Sequence, residues 1–236
     1  MTLKTKPATL GKAERQAQAK ASALAAQQAQ RRRRRVMRAA AAIVAVLAVG
    51  GLFALYRSSV GGTPGAGGGG RYAYQVGRLG PGQQAIEFTL PSTTGGQVSL
   101  ASLRGKTVLL YFHEGLGCQP CWDQIRDLDK SMPALTAAGV EEFLSVTSGP
   151  AVLIAQKMRD DGLRSVALAD TDLAVSRRYE MNKYGMMGDS RDGHSFLLIG
   201  PDGTIRWRAD YGGAPNYTMY VPVDQVLADM KAGRTP

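Results

Sequence analysis

From residue 107 on, apolar positions fall into short runs separated by polar, Gly- and Pro-containing breaks. Residues 107–112 form an uninterrupted apolar run without alternation, the pattern of a buried parallel strand. Helical spacing follows over 119–138, with a break expected at Pro133. Residues 142–147 and 166–169 read as two further strands, with a helix over 152–161 between them and a short helix over 173–179 after. Residues 195–199 and 204–209 flank Pro201-Asp202-Gly203, a turn signal, and predict a hairpin. In the second of these runs Arg206, Arg208 and Asp210 alternate with Ile205, Trp207 and Ala209, which predicts a half-exposed strand. Residues 223–231 close the pattern as a helix. Strand–helix units followed by a hairpin and a helix predict an α/β sandwich around a mixed sheet.

The first 70 residues follow other rules. Residues 1–30 are rich in Ala, Gln and Lys and cannot build a core. Residues 39–56 are free of charge, and a helix of that length spans roughly 27 Å, about the hydrocarbon thickness of a bilayer. Arg31–Arg35 and Arg38 stand before this run and set its orientation. A cleaved signal peptide would use the same charges, but with a shorter apolar core and a small-residue cleavage site; a twin-arginine signal matches only loosely. The expected plan is a basic cytoplasmic tail (1–35), a transmembrane anchor (36–57), a Gly-rich linker (58–70) and a folded domain (71–236) outside the cell membrane. Residues 211–222 are aromatic and rich in Gly and Pro, and read as an ordered surface loop.

Charge supports this division. The net charge of +10 is local: residues 1–57 hold 12 Lys/Arg and one acid, whereas the remainder is close to neutral. No basic patch follows for the folded part, so nucleic acid is not an expected partner.

The chain has two cysteines, and they form Cys118-Gln119-Pro120-Cys121 between the first long strand and the first helix. C-x-x-C at a β–α junction is a dithiol–disulfide motif. Cys118 falls at the helix N-terminus, where free N–H groups stabilise a thiolate, and is the candidate attacking sulfur. Cys121, one turn in, is the candidate resolving sulfur. Pro120 suits the first helical turn. A bridge closing so short a loop adds little stability, which favours redox use over a structural role. Glu114 is a candidate proton carrier for Cys121, although loop acids are more often solvated. Trp122 either shields the disulfide or fills the core. The two histidines, His113 and His194, flank the site and admit a Cys₂His₂ metal set with Cys118 and Cys121, with Met181, Met186 and Met187 as softer donors. The simpler reading of His194 is a polar contact near the disulfide.

The order of elements resembles the thioredoxin fold. Phe88-Thr-Leu-Pro91, Val98-Ser-Leu-Ala-Ser-Leu-Arg-Gly-Lys106, Val108-Leu-Leu-Tyr-Phe112 and Ser195-Phe-Leu-Leu-Ile-Gly-Pro-Asp-Gly203 resemble the alkyl-hydroperoxide-reductase/thiol-specific-antioxidant (redoxin, peroxiredoxin-like) family over roughly residues 80–210. The resemblance implies thiol redox chemistry without a bound organic cofactor. Two departures stand out. Gly193 lies where thioredoxin-type reductases carry a cis-proline opposite the C-x-x-C. Tyr111 and Gly115 occupy the Pro and Thr positions of the peroxiredoxin P-x-x-x-T-x-x-C pattern. The expected function is a membrane-anchored, extracytoplasmic thiol–disulfide oxidoreductase working on protein thiols or disulfides. The alternatives are a peroxiredoxin-like peroxidase and a thioredoxin-fold copper chaperone using Cys118, Cys121 and His194.

Overall fold

Strand β3 (Val108–His113) is the axis of the domain and is buried along its whole length. It pairs in parallel with β4 (Glu142–Thr147), which pairs in parallel with β5 (Val166–Ala169). On its other side it pairs antiparallel with β6 (Ser195–Ile199), which forms a hairpin with β7 (Ile205–Asp210). The sheet order is β5-β4-β3-β6-β7. A separate two-stranded hairpin, β1 (Thr89–Pro91) and β2 (Gln97–Ser99), precedes it. The helices are α1 (Gln119–Lys130), α2 (Met132–Ala137), α3 (Ala151–Asp160), α4 (Ala174–Arg178) and α5 (Val223–Gly233).

This computed structural model describes residues 72–235 and, before them, positions 30, 33, 37, 50 and 51. The chain divides into two units, Met1–Val60 and Gly61–Pro236, and the sheet lies in the second. The apolar run at 39–56 falls outside the described residues, apart from Gly50 and Gly51. Among the described residues no helix is long and apolar enough to cross a membrane.

Period-two alternation along β3 sorts its side chains between two cores. Leu109 and Tyr111 enter the core that holds Trp122, Ile125 and Leu128 of α1, Ile154 and Met158 of α3, and Val226 and Met230 of α5. Val108, Leu110 and Phe112 enter the other, with Phe88, Leu100, Val175, Tyr179 and Met181. The expected helix over 119–138 is two helices. Pro133 lacks the N–H that would continue the ladder, and Ser131 closes α1 by donating to Asp127 O and Leu128 O.

The alternation in β7 misleads about exposure. Arg208 and Asp210 are buried, not half-exposed, because residues 75–85 run along this edge of the sheet. Gln75 and Asp210 exchange both backbone hydrogen bonds. Arg208 Nε donates to Asp210 Oδ2 at 2.8 Å, and the same oxygen accepts Gly77 N–H at 2.7 Å. The guanidinium also donates to the Arg78 carbonyl and lies over the Tyr184 ring, 5.5 Å from its centroid. A charged position in an alternating strand faces water only where no other segment covers that face. Tyr211, first in the expected surface loop, is buried too and donates to Asp229 Oδ2 at 2.7 Å.

Candidate functional site: a disulfide at the first helical turn

Strands β3 and β4 end side by side, β6 starts at that same end of the sheet and β7 finishes there. Cys118 and Cys121 sit at this end, joined as a disulfide. Cys118 is the N-cap of α1, and its carbonyl accepts the Cys121 and Trp122 N–H groups. Pro120 lies in the first turn, where a missing N–H leaves no helical bond unmade. Cys118 is 7% exposed and Cys121 0%. Of the two, Cys118 alone keeps some exposure, and it lies at the positive end of the helix dipole.

The loop before the disulfide turns at Gly115, φ +88°. Its carbonyl accepts Cys118 N–H and Trp122 Nε1–H, both at 3.1 Å. Trp122 thus fills the core and braces the loop at once. A Cβ on Gly115 would stand 3.0 Å from Thr147 Oγ1 and 3.1 Å from Ser148 O. This explains one departure from the peroxiredoxin pattern, because a β-branched threonine cannot adopt that backbone in that space. Tyr111 explains the other: it lies inside a central strand paired on both sides, where proline would remove a ladder hydrogen bond. Gly115→Thr is expected to destabilise the domain by about 2 kcal/mol, read as a lower urea midpoint. An unchanged midpoint would refute the steric argument.

Glu114 is not a solvated loop acid. It is buried, its carboxylate accepts Met186 N–H, and its own carbonyl accepts Arg191 Nη1 at 3.1 Å. These two contacts tie the segment from Met186 to Arg191 to the loop before the disulfide. Gly193 lies two residues before β6, at the end of the sheet where β3 finishes. Its N–H donates to Met181 O at 3.0 Å, and the His194 N–H donates to Tyr184 O at 2.8 Å.

The two histidines are brought together around Tyr111. His113 stacks on the Tyr111 ring, with centroids 5.3 Å apart, and Tyr111 Oη lies 3.3 Å from His194 Nδ1. Burial, with His194 as a smaller second influence, lowers the His113 pKa to about 3, and burial lowers that of His194 to about 3. Burial and the Glu114 charge push Tyr111 well above the ordinary phenol range. The phenol and a neutral imidazole thus share one hydrogen bond. Among the described residues no group of three or more His, Cys, Asp and Glu side chains is placed to hold a metal ion. The four-residue set Cys118, Cys121, His113 and His194 is not assembled as a metal centre: the sulfurs are spent on each other, and both rings pack against aromatic neighbours. Met181 is buried against Arg208, whereas Met186 and Met187 are exposed.

Sequence reasoning did not select Thr147, Asp170 or Asp192. Thr147 Oγ1 donates to His113 O at 2.7 Å, a contact created only by the β3–β4 register. Asp170 accepts Ser176 N–H at 2.7 Å and Ser176 Oγ–H at 2.6 Å, tying down the start of α4; an Asp just ahead of a short helical pattern is a readable signal of this kind. Asp192 has no such signal. Burial, aided by the Asp170 charge, pushes its pKa well above the carboxylate range.

These shifts set a pH profile. Both histidines are neutral when folded and protonate on unfolding below 6.5, so each contributes stability that is lost as pH falls from 6.5 toward about 3. Asp192 is protonated when folded and ionises on unfolding, so its contribution falls as pH rises above about 3.8. The two histidines and Asp192 therefore act in opposite senses as pH changes in the acid range. In denaturant titrations the parent should lose stability relative to Asp192→Asn as pH rises above about 3.8. A stability difference between the two that does not change with pH in that range would refute the assignment.

The comparisons with known proteins agree with this geometry. The AhpC/TSA family profile matches residues 81–208, more than half of the chain. The chain belongs to the AhpC/TSA family. A Mycobacterium tuberculosis protein carrying a peroxiredoxin name is 31% identical over 133 residues, covering 54% of this chain and 83% of that protein. Peroxiredoxin Bcp of Escherichia coli is 30% identical over 127 residues, covering 52% and 81%. The crystal structure of peroxidoxin BcpB from M. tuberculosis superposes with a TM-score of 0.54 at 17% identity, over 67% of this chain and all of that one. That likeness shows the shared thioredoxin-like fold. Membership in the AhpC/TSA family makes this chain a thiol-dependent oxidoreductase.

Proposed function

We propose that this AhpC/TSA protein is a thiol peroxidase in which Cys118 reduces a hydroperoxide and Cys121 resolves the product. The Cys118 thiolate attacks one peroxide oxygen, the O–O bond breaks, and the other oxygen leaves as an alcohol or water after taking a proton. Cys118 becomes a sulfenic acid. The Cys121 thiol then attacks that sulfur, the disulfide closes and water departs. Two electrons from an external dithiol reopen the bridge.

The observation that carries this reading is the pair of sulfurs bonded across one helical turn, Cys118 being the one residue of the two with any exposure, in a chain of this family. The N–H groups of Gly193 and His194 are bonded within the chain and so are not open to pair with a peptide, which favours peroxide as the oxidant. Tyr111 and Gly115 favour a second reading, direct thiol–disulfide exchange, since the Pro and Thr of the peroxiredoxin pattern are absent.

For either reading the electron donor is a protein thiol. In the 72–235 unit the exposed large apolar side chains are Val152, Leu153, Met186, Met187 and Tyr217. All five lie in segments that follow β4 or β7 or precede β6. Exposed apolar side chains of this kind suit a macromolecular partner. The arginine-led run at 39–56 supports anchorage at the cell membrane with the domain outside, testable by fractionation of cells and external protease digestion.

The deciding experiment oxidises the reduced full-length chain with hydrogen peroxide, an alkyl hydroperoxide or a small disulfide. Oxidation by peroxide at a rate well above that of free cysteine supports the peroxidase. Rapid oxidation by the disulfide alone overturns it in favour of exchange.

A further inference from the structure

We infer that His113 is a positioning residue for Cys118, acting through Gly115. The inference rests on the reading above only in taking Cys118 as the attacking sulfur.

Gly115 joins the parts of the loop. Its carbonyl takes Cys118 N–H and Trp122 Nε1–H, and its own N–H donates to His113 Nδ1 at 3.4 Å. At φ +88° the peptide has an orientation suited to glycine, whose broad conformational freedom does little to hold it there. Its bonds must hold it, and the one on the N–H side ends on His113.

The imidazole is itself locked. The His113 carbonyl accepts Thr147 Oγ1–H, one ring face stacks on Tyr111, and Trp122 meets the ring edge-on with centroids 5.0 Å apart. A backbone N–H can only donate, so Nδ1 must be the unprotonated nitrogen and the hydrogen sits on Nε2. Nε2 is buried and has no hydrogen-bond partner among the described residues. An orphaned buried donor is a cost that packing alone does not require, because phenylalanine would fill the same space without it. What phenylalanine lacks is the Nδ1 lone pair. Burial keeps the ring neutral, so that lone pair stays available at neutral pH.

The chain of contacts runs from Thr147 and Tyr111 to His113, from His113 to Gly115, and from Gly115 to the backbone of Cys118. It sets the orientation of the N-cap and so the place of its sulfur over the first turn of α1. Without the Nδ1 acceptor the Gly115 peptide can rotate, and the sulfur leaves the helix end that stabilises its thiolate.

The test uses the full-length chain in a Cys121→Ser background, which leaves one thiol. Thiolate absorbance against pH and the rate of alkylation at fixed pH are measured for His113, His113→Phe and His113→Asn. Asparagine places Oδ1 near the position of Nδ1. The phenylalanine variant should raise the thiolate midpoint by about one pH unit, a tenfold change, and slow alkylation about tenfold. Asparagine should recover most of both. Phenylalanine matching the parent, or asparagine as impaired as phenylalanine, overturns the inference. Should the phenylalanine variant fail to fold, imidazole ¹⁵N spectra of the parent decide: an unprotonated Nδ1 whose signal moves on reduction supports the assignment, and a protonated or redox-insensitive Nδ1 overturns it. None of these readouts uses peroxide. A shifted Cys118 in a chain that consumes no peroxide would keep this inference and refute the peroxidase.

Discussion

Cys118→Ser is expected to lower hydroperoxide turnover roughly a thousandfold or more, because a serine hydroxyl has no ionised form to attack the O–O bond at neutral pH. Cys121→Ser should behave differently. Its Cys118 remains the N-cap of α1, so one equivalent of peroxide is consumed per chain and the reaction stops at the sulfenic acid. Stopped-flow peroxide consumption with a sulfenic-acid trapping reagent separates the two. The asymmetry follows from burial: Cys118 is 7% exposed and Cys121 0%, so their roles cannot be exchanged. A Cys121→Ser chain that turns over repeatedly, or a Cys118→Ser chain that still forms a sulfenic acid, would defeat the assignment. Neither variant should unfold, since a bridge closing three residues of chain contributes little to stability.

The second large effect is structural. Gly193→Ala is expected to cost at least about 3 kcal/mol. A Cβ there would stand 2.0 Å from Tyr184 O, 2.2 Å from Tyr184 C and 2.7 Å from Met181 O. All three are backbone atoms, and a rotamer change relieves none of them. The Tyr184 carbonyl is crowded by a second glycine too, since a Cβ on Gly212 would also meet it at 2.0 Å. That carbonyl accepts His194 N–H, so moving it disturbs the start of β6 and the Tyr111–His194 contact together. For a domain of this size the loss corresponds to roughly 6–12 °C in Tm. Calorimetry of the full chain would show it, and a Tm within about 2 °C of the parent would contradict the close approach.

Much of the fold was legible along the chain. The runs at 142–147, 166–169 and 195–199 are β4, β5 and β6 residue for residue. The other edges shift by one or two positions, as helix and strand ends do. The placement of Cys118 as N-cap with Cys121 one turn in was also legible, since C-x-x-C, Pro120 and the onset of helical spacing are all local. The β1–β2 hairpin was visible only as a family motif, because three-residue strands carry too few positions to establish a period.

The exposure of charged residues was not legible. Arg208 and Asp210 alternate with apolar neighbours as a solvent-facing row would, yet the segment at 75–85, more than a hundred residues earlier, lies over them. Glu114 reads as a loop acid until Met186 and Arg191 arrive from the other side of the chain. The histidines admit a metal set as an alternative in the sequence, and only the β3–β6 register shows Tyr111 packed against both.

By itself, then, the order of residues determined the strands, the helix that carries the two sulfurs and the kind of reaction they perform, because these depend on neighbours within one turn or one strand. Which face of each element meets water and which histidine faces the Gly115 turn were decided only in three dimensions. Those properties come from segments far apart in the chain packing against one another, and no local pattern encodes which segment arrives.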